Sequence, residues 1–195
     1  MLYKFAVALV KFLFLFCFRT KVIGKVNVPK DGAMILAVNH KSYLDPVMAA
    51  LHCPRRLTFM AKSELFKNPL FGWLIKRLGA FPVQRGKGDV GAIKSAFAIL
   101  KEGHTMLIFP QGRREKQDER GKAHSGVAMI AQRMKCPVIP VWISGKYRWM
   151  NKITVSFGEP ISLEEYYEKK LSNDELQAVA DDILDKMYEL KVEKV

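Results

Sequence analysis

The chain has 195 residues, enough for one domain with a full hydrophobic core and too few for two of ordinary size. A hydrophobic content of 49% excludes wholesale disorder, while 32 basic against 19 acidic residues give a net charge of +13 that favours an anionic partner: nucleic acid, an anionic membrane or acidic substrates. Three widely spaced cysteines, Cys17, Cys53 and Cys136, make no C-x-x-C pair, which argues against a zinc or dithiol site and fits a reducing cytoplasm.

The first element lies in "MLYKFAVALVKFLFLFCFRTK", where Leu2 to Phe18 is almost unbroken in apolar residues apart from Lys4 and Lys11. As a helix it extends roughly 25 Å at about 1.5 Å per residue, short of a comfortable bilayer crossing, and Lys11 near its middle makes spanning worse. "FCFRTK" supplies no small residues for signal cleavage. The expectation is a membrane-anchoring helix over residues 1–19 that lies in the interface or dips into one leaflet, with Lys and Arg reaching back to head groups. A buried core helix and an uncleaved single span are the alternatives.

Residues 20–195 read as one α/β domain. Short apolar runs rich in β-branched residues alternate with helical patterns, which is the signature of βαβ units. The candidate strands are "KVIGKVNV", "AMILAVN", "RLTFMA", "AFPVQR", "TMLIFP", "PVIPVWI" and "ITVSFG", which predicts a mixed, mostly parallel sheet of about seven strands flanked by helices. "SELFKNPLFGWLIKRLGAF" sets Leu65, Phe66, Leu70, Phe71, Trp73, Leu74 and Ile75 among Lys67, Lys76 and Arg77. It suits a membrane interface or an acyl-chain groove, or else plain core. Further on, Val90, Ile93, Phe97 and Leu100 share one helix face closed by Gly103, and Val127, Ile130, Ala131 and Met134 share another. Near the C-terminus, Ser172 and Glu175 form a capping-box start for a helix that buries Leu176, Val179, Ile183, Met187 and Leu190. No internal repeat or low-complexity tract interrupts these patterns.

In parallel α/β sheets, ligands bind beyond the carboxyl ends of the strands, and His40 falls where "AMILAVN" should end. Asp45-Pro46 looks like a helix entry. Within one continuous helix, positions i and i+5 diverge by about 140°, so a contact between His40 and Asp45 requires the His in the loop and the Asp in the first turn. That contact would fix the imidazole tautomer and stabilise the imidazolium, leaving the second ring nitrogen to take a proton. Taken singly, Asn39 and His40 could equally satisfy backbone groups in a turn while Asp45 caps the helix. No G-x-S-x-G elbow is present, so the pair reads as a base acting on a substrate hydroxyl. Two further strand ends bring cations to the same edge: "FPVQR" with Arg85, and "FPQGRR" with Gly112, Arg113 and Arg114. Gly permits close backbone approach and Arg offers a planar fork matched to phosphate oxygens, although either loop could also be a solvated charge.

"NHKSYLD" resembles the N-H-x-x-x-x-D signature of the glycerolipid acyltransferases, and within them the 1-acylglycerol-phosphate (lysophosphatidate) acyltransferase branch. "FPVQR", "FPQGRR" and "CPVIPVWI" resemble the second, third and fourth motifs of that family in the family's order, over roughly residues 20 to 160. The resemblance implies His40 as general base and Asp45 as its orienting partner, with Asn39, Arg85, Gln111, Gly112, Arg113 and Arg114 in the substrate site and Arg85, Gly112 and Arg114 gathered round the acceptor's phosphate. It implies direct transfer of an acyl group from acyl carrier protein or coenzyme A to the free hydroxyl of lysophosphatidate, giving phosphatidate, with no metal and no cofactor. Gln111 stands where the family pattern has Glu, and His124 where relatives often carry Lys.

Membrane association on the cytoplasmic face, peripheral or monotopic, gives the positive charge a use, since each basic residue near anionic lipid contributes on the order of 1 kcal/mol. The same field would steer an acidic carrier protein. Two other readings stay open: an acyltransferase for a different lysophospholipid or lyso-amino-lipid, which the neutral Gln111 allows, and a non-catalytic module that binds anionic membranes. Nucleic acid is not an expected partner, because the basic residues are spread along the chain without a concentrated stripe.

Overall fold

The computed structural model describes residues 2–77, 79–83, 90–114 and 121–191. In chain order the elements are α1 (Leu2–Cys17), β1 (Arg19–Ile23), β2 (Met34–Val38), α2 (Asp45–His52), β3 (Leu57–Lys62), α3 (Pro69–Arg77), β4 (Ala80–Val83), α4 (Val90–Lys101), β5 (Thr105–Ile108), α5 (Gly126–Arg133), β6 (Val138–Ser144), β7 (Lys152–Phe157) and α6 (Asn173–Glu189). The strands form a 7-stranded sheet in the order β1-β7-β6-β2-β5-β3-β4. From β6 to β4 every neighbouring pair is parallel, whereas β7 runs antiparallel to β6 and β1 runs parallel to β7. The mostly parallel α/β sheet expected from the alternation of strand and helix patterns is therefore what the chain builds, with a reversed pair at one edge.

The central strand shows why. All five residues of β2 are buried, and successive side chains point to opposite layers. Ile35 and Ala37 join a core with α4, α5 and α6, including Leu100, Val127, Ile130, Ile183 and Met187. Met34, Leu36 and Val38 join a second core with Met48, Ala49 and Leu51 of α2, against which Val7 and Phe14 of α1 also pack. A strand covered on both faces has no polar side to show, hence the continuous apolar run.

Two local expectations need correction and one open reading is narrowed. The first strand is shorter than "KVIGKVNV": Gly24 takes φ 67, residues 25–27 coil into a 3-10 turn, and a Cβ at Gly24 would sit 2.0 Å from the Phe157 carbonyl oxygen. Only glycine fits there, and the strand stops. Val90, placed on the apolar face of its helix, is 63% exposed because it is the first residue of α4, while Ala96 and Leu100 carry the burial further along. In α3 and the 3-10 turn before it, Leu65, Leu70 and Trp73 are exposed and not core, with the Arg77 guanidinium 5.4 Å from the Trp73 ring centre. At the far end of the chain the capping box forms: Ser172 Oγ accepts from the Glu175 N–H and the Glu175 carboxylate accepts from the Ser172 N–H. The α6 helix it starts buries Ile183 and Met187.

The N-terminal helix has two apolar faces. Val7 and Phe14 meet the core, followed by Phe18 just past the helix end. Phe5, Leu9, Phe12 and Phe16, spaced by four, three and four residues along one helical stripe, are all exposed. Among the described residues no helix is long and apolar enough to cross a membrane.

Candidate active site

Because β6, β2 and β5 lie side by side and parallel, their carboxyl ends open on one edge of the sheet. Three loops meet there. His40 leaves β2, the segment Phe109 to Arg114 leaves β5, and Tyr147 sits in the connection between β6 and β7.

The first loop turns so that Asp45 becomes the first residue of α2, with Pro46 in the opening turn where its missing N–H costs nothing. Asp45 is fully buried. Its Oδ2 accepts from the backbone N–H groups of Lys41 and Ser42, each at 2.6 Å, and lies 3.0 Å from His40 Nδ1. Its Oδ1 accepts from the Tyr147 hydroxyl at 2.7 Å. A carboxylate only accepts, so Nδ1 carries the hydrogen, and in the neutral imidazole the other ring nitrogen is the one with the lone pair. The separation of five residues thus works as the geometry required, with His40 outside the helix and Asp45 in its first turn. Asp45 also ties down the loop backbone, but it does not cap the helix as the plainer reading had it: Leu44 is the N-cap of α2 and no side chain bonds there.

The imidazole is clamped from the neighbouring strand. Phe109 stacks on it at 3.9 Å between ring centres and 17° between planes. Gln111 is buried and its Oε1 accepts the His40 backbone N–H at 3.4 Å, so this residue, expected among the substrate ligands, faces the loop that carries the His. Asn39 departs from expectation further. Its Nδ2 donates to the Ile143 carbonyl at 3.2 Å and its Oδ1 accepts from the Ile143 N–H at 2.7 Å. A buried amide bonded on both sides to β6 extends the ladder by one residue and is not turned to a substrate.

Arg113 and Arg114 are exposed at this edge, and the Arg114 guanidinium lies 3.8 Å from the ring centre of Tyr43, which stacks it across the His40 loop. Gly112 adopts φ 67, and a Cβ there would come within 2.8 Å of the His124 ring, so the turn needs glycine for its backbone and for its neighbour. Arg85, expected on the phosphate side, lies outside the described residues.

Electrostatics sort the remaining groups. Burial, and then the charge and hydrogen bond of Asp45, push the Tyr147 hydroxyl far up, so it stays a donor. Burial pulls the Lys41 ammonium below the ordinary lysine range against the opposing pull of Asp45. Burial also pushes Cys53 up to about 11 and Cys136 up to about 12, leaving both as protonated thiols and poor nucleophiles. The edge therefore offers a base with its counter-charge and two guanidinium groups, and neither buried thiol is activated. Sequence reasoning missed Tyr147, Phe109 and Tyr43. The first two sit just beyond the carboxyl ends of β6 and β5, the position that drew attention to His40.

An acyltransferase family model matches residues 19–144. Over 161 residues the chain is 34% identical to the 1-acyl-sn-glycerol-3-phosphate acyltransferase of Streptococcus pneumoniae, covering 79% of this chain and 59% of that one, so it spans somewhat more than half of that relative's length. It is 33% identical over 166 residues to the Bacillus subtilis protein of the same name, with 82% of each chain covered. The crystal structure of the 1-acyl-sn-glycerophosphate (LPA) acyltransferase PlsC from Thermotoga maritima matches with a TM-score of 0.72 at 26% identity, over 98% of this chain and 82% of that one.

Proposed function

The chain belongs to the acyltransferase family, and from that premise we propose that it moves a fatty acyl group from an acyl thioester to the free hydroxyl of lysophosphatidate, giving phosphatidate. The observation that carries the reading is the His40 to Asp45 contact at 3.0 Å on a strand-end edge that also presents Arg113 and Arg114. The unprotonated ring nitrogen of His40 takes the hydroxyl proton as the oxygen attacks the thioester carbonyl carbon. The tetrahedral intermediate then collapses, the carbon–sulfur bond breaks, and the imidazolium returns its proton to the departing thiolate. Asp45 balances the transient positive charge on the ring. Arg113, Arg114 and Arg85 hold the phosphate, with the Gly112 turn allowing the backbone to come close. The step balances without a metal or a redox cofactor. Both acyl carrier protein and coenzyme A present the thioester this chemistry needs, and the positive field favours either anionic donor.

The acceptor is a lipid, and the exposed stripe Phe5, Leu9, Phe12 and Phe16 gives the protein a way to reach it. With α1 lying in the interface of an anionic membrane, on its cytoplasmic face, the stripe enters the acyl region and the net charge of +13 draws the protein toward the head groups. Purified protein given lysophosphatidate and a panel of acyl thioesters should form phosphatidate, detected as the lipid product. The His40→Ala variant should bind vesicles as before and turn over nothing; a variant that still makes phosphatidate would remove His40 from the mechanism.

A further inference from the structure

The β6–β7 connection contributes a group that the family match, ending at residue 144, does not contain. Tyr147 is half-buried, and its hydroxyl donates to Asp45 Oδ1 at 2.7 Å from 102 residues away in sequence. Among the described residues no other hydrogen bond reaches that oxygen, while Oδ2 takes Lys41 N–H, Ser42 N–H and His40. The ring of Tyr147 is held in turn. Phe18 meets it edge-on, with 5.8 Å between ring centres and 82° between planes, and Lys41 Nζ lies 5.7 Å from its centre. Phe18 packs at a tilt on Phe14 of α1, 5.3 Å between ring centres, and the same connection is tied to α1 by the Met150 N–H donating to the Cys17 carbonyl at 2.7 Å.

We infer that Tyr147 is a positioning residue: its hydroxyl fixes the Asp45 carboxylate that steers His40, and its ring makes that carboxylate sensitive to how α1 is seated. The inference rests on the His40–Asp45 reading given above. Burial and the adjacent carboxylate keep the hydroxyl protonated, so it donates throughout the range in which imidazole titrates. Without it, Asp45 Oδ1 is a buried acceptor with no donor, and the carboxylate is held through Oδ2 alone. Among the described residues, the groups that face Asp45 are the imidazole of His40 and the ammonium of Lys41 from its own loop and the phenol of Tyr147; Gln111 and Phe109, which pack on the His40 loop, and Phe18, which packs on Tyr147, carry no charge. Lys41 Nζ donates to the Gly145 carbonyl, on the same connection as Tyr147.

The test uses the full chain, lysophosphatidate and the acyl thioester the wild type turns over, with kcat and acceptor KM followed across the range of imidazole titration. Tyr147→Phe keeps both ring contacts and removes one oxygen. Its kcat should fall about tenfold with KM unchanged, because an imidazole steered by a less firmly placed carboxylate is less often aligned with the acceptor hydroxyl. The acidic limb of the rate profile should move to higher pH, because a carboxylate short of one donor holds the imidazolium more strongly. A purely structural tyrosine would leave that limb in place. Phe18→Ala leaves the hydroxyl in the chain and should move kcat and the limb in the same direction, with little further loss when added to Tyr147→Phe; it also reads the contact should Tyr147→Phe unfold early. Wild-type kcat and an unmoved limb in Tyr147→Phe, with His40→Ala inactive, would overturn the inference alone. Full additivity of the two variants would overturn the link to α1, and an active His40→Ala would overturn the dyad beneath both.

Discussion

Replacing Asp45 by Asn separates charge from shape. The side chain is fully buried and both oxygens are bonded, so the amide has one tolerable orientation. Its carbonyl must occupy the Oδ2 position, where the Lys41 and Ser42 N–H groups arrive at 2.6 Å and His40 Nδ1 at 3.0 Å. The amide nitrogen then faces the Tyr147 hydroxyl, which can turn to accept. The imidazole tautomer survives and only the negative charge goes. Each backbone N–H exchanges a charge-assisted bond for a neutral one at about 1 kcal/mol, so Asp45→Asn should lose about 2 kcal/mol of stability and remain folded. The rate should suffer more. An imidazolium and a carboxylate about 4 Å apart between charge centres attract by about 4 kcal/mol in a partly buried setting, and losing that in the transition state lowers kcat on the order of 10³-fold. Asp45→Ala leaves the two backbone donors, the imidazole and the Tyr147 hydroxyl unmet at about 1–3 kcal/mol each, a large part of the whole stability of a domain this size, and should not accumulate in soluble form. Urea unfolding followed by tryptophan fluorescence gives the first number and initial rates of phosphatidate formation give the second. An Asp45→Asn protein that unfolds as expected yet works within about tenfold of wild type would refute the idea that Asp45 balances charge on His40.

Two further outcomes test the surfaces around this centre. Phe12 and Phe16 are each 57% exposed and pack on one another at 5.2 Å between ring centres, so changing both to Ser should leave thermal unfolding in place. Partition onto anionic vesicles should weaken roughly 100-fold, from about 1.5 kcal/mol or more per phenylalanine; unchanged flotation with vesicles would take α1 out of the interface. Tyr43→Ala removes the ring beneath Arg114 and should raise the acceptor KM about two- to fivefold with kcat unchanged, the size of an exposed cation–π contact, while Tyr43→Phe matches wild type. Equal KM values for the two variants would show that the ring does not orient the guanidinium.

Strand positions were readable from sequence because burial on both faces leaves a signature in one dimension: the run "MILAV" of β2 carries no polar residue. The His40–Asp45 contact was readable for a related reason, since a loop of fixed length and a helix start decide the geometry locally. What could not be read depends on register. Asn39 looked like a substrate ligand, yet its amide closes onto Ile143, 104 residues away, because β2 stops pairing with β6 at Val38 and Val141, one residue before Asn39 and two before Ile143. Gln111 reaches the His40 backbone across the β2–β5 pairing for the same reason. Nothing near Tyr147 in the chain marks it, since its partner is set by which strands are neighbours and by the reversal of β7.

That reversal does more than close the sheet. Five parallel strands direct their carboxyl ends to one edge, and a further parallel strand after β6 would need a crossover leading the chain away from it. An antiparallel β7, with Ser144 opposite Thr154, keeps the connection at that edge, which is how Tyr147 comes to stand over Asp45. β1 then pairs parallel to β7 starting at Arg19 opposite Lys152, so the last turn of α1 is delivered to the same edge and Phe18 meets Tyr147. A parallel edge pair would have placed the foot of α1 at the opposite end of the strands, roughly 17–20 Å away for strands of this length. The closeness of the foot of α1 to Tyr147 and Asp45 is therefore a property of strand direction, and substitutions in either patch alone cannot create or abolish it.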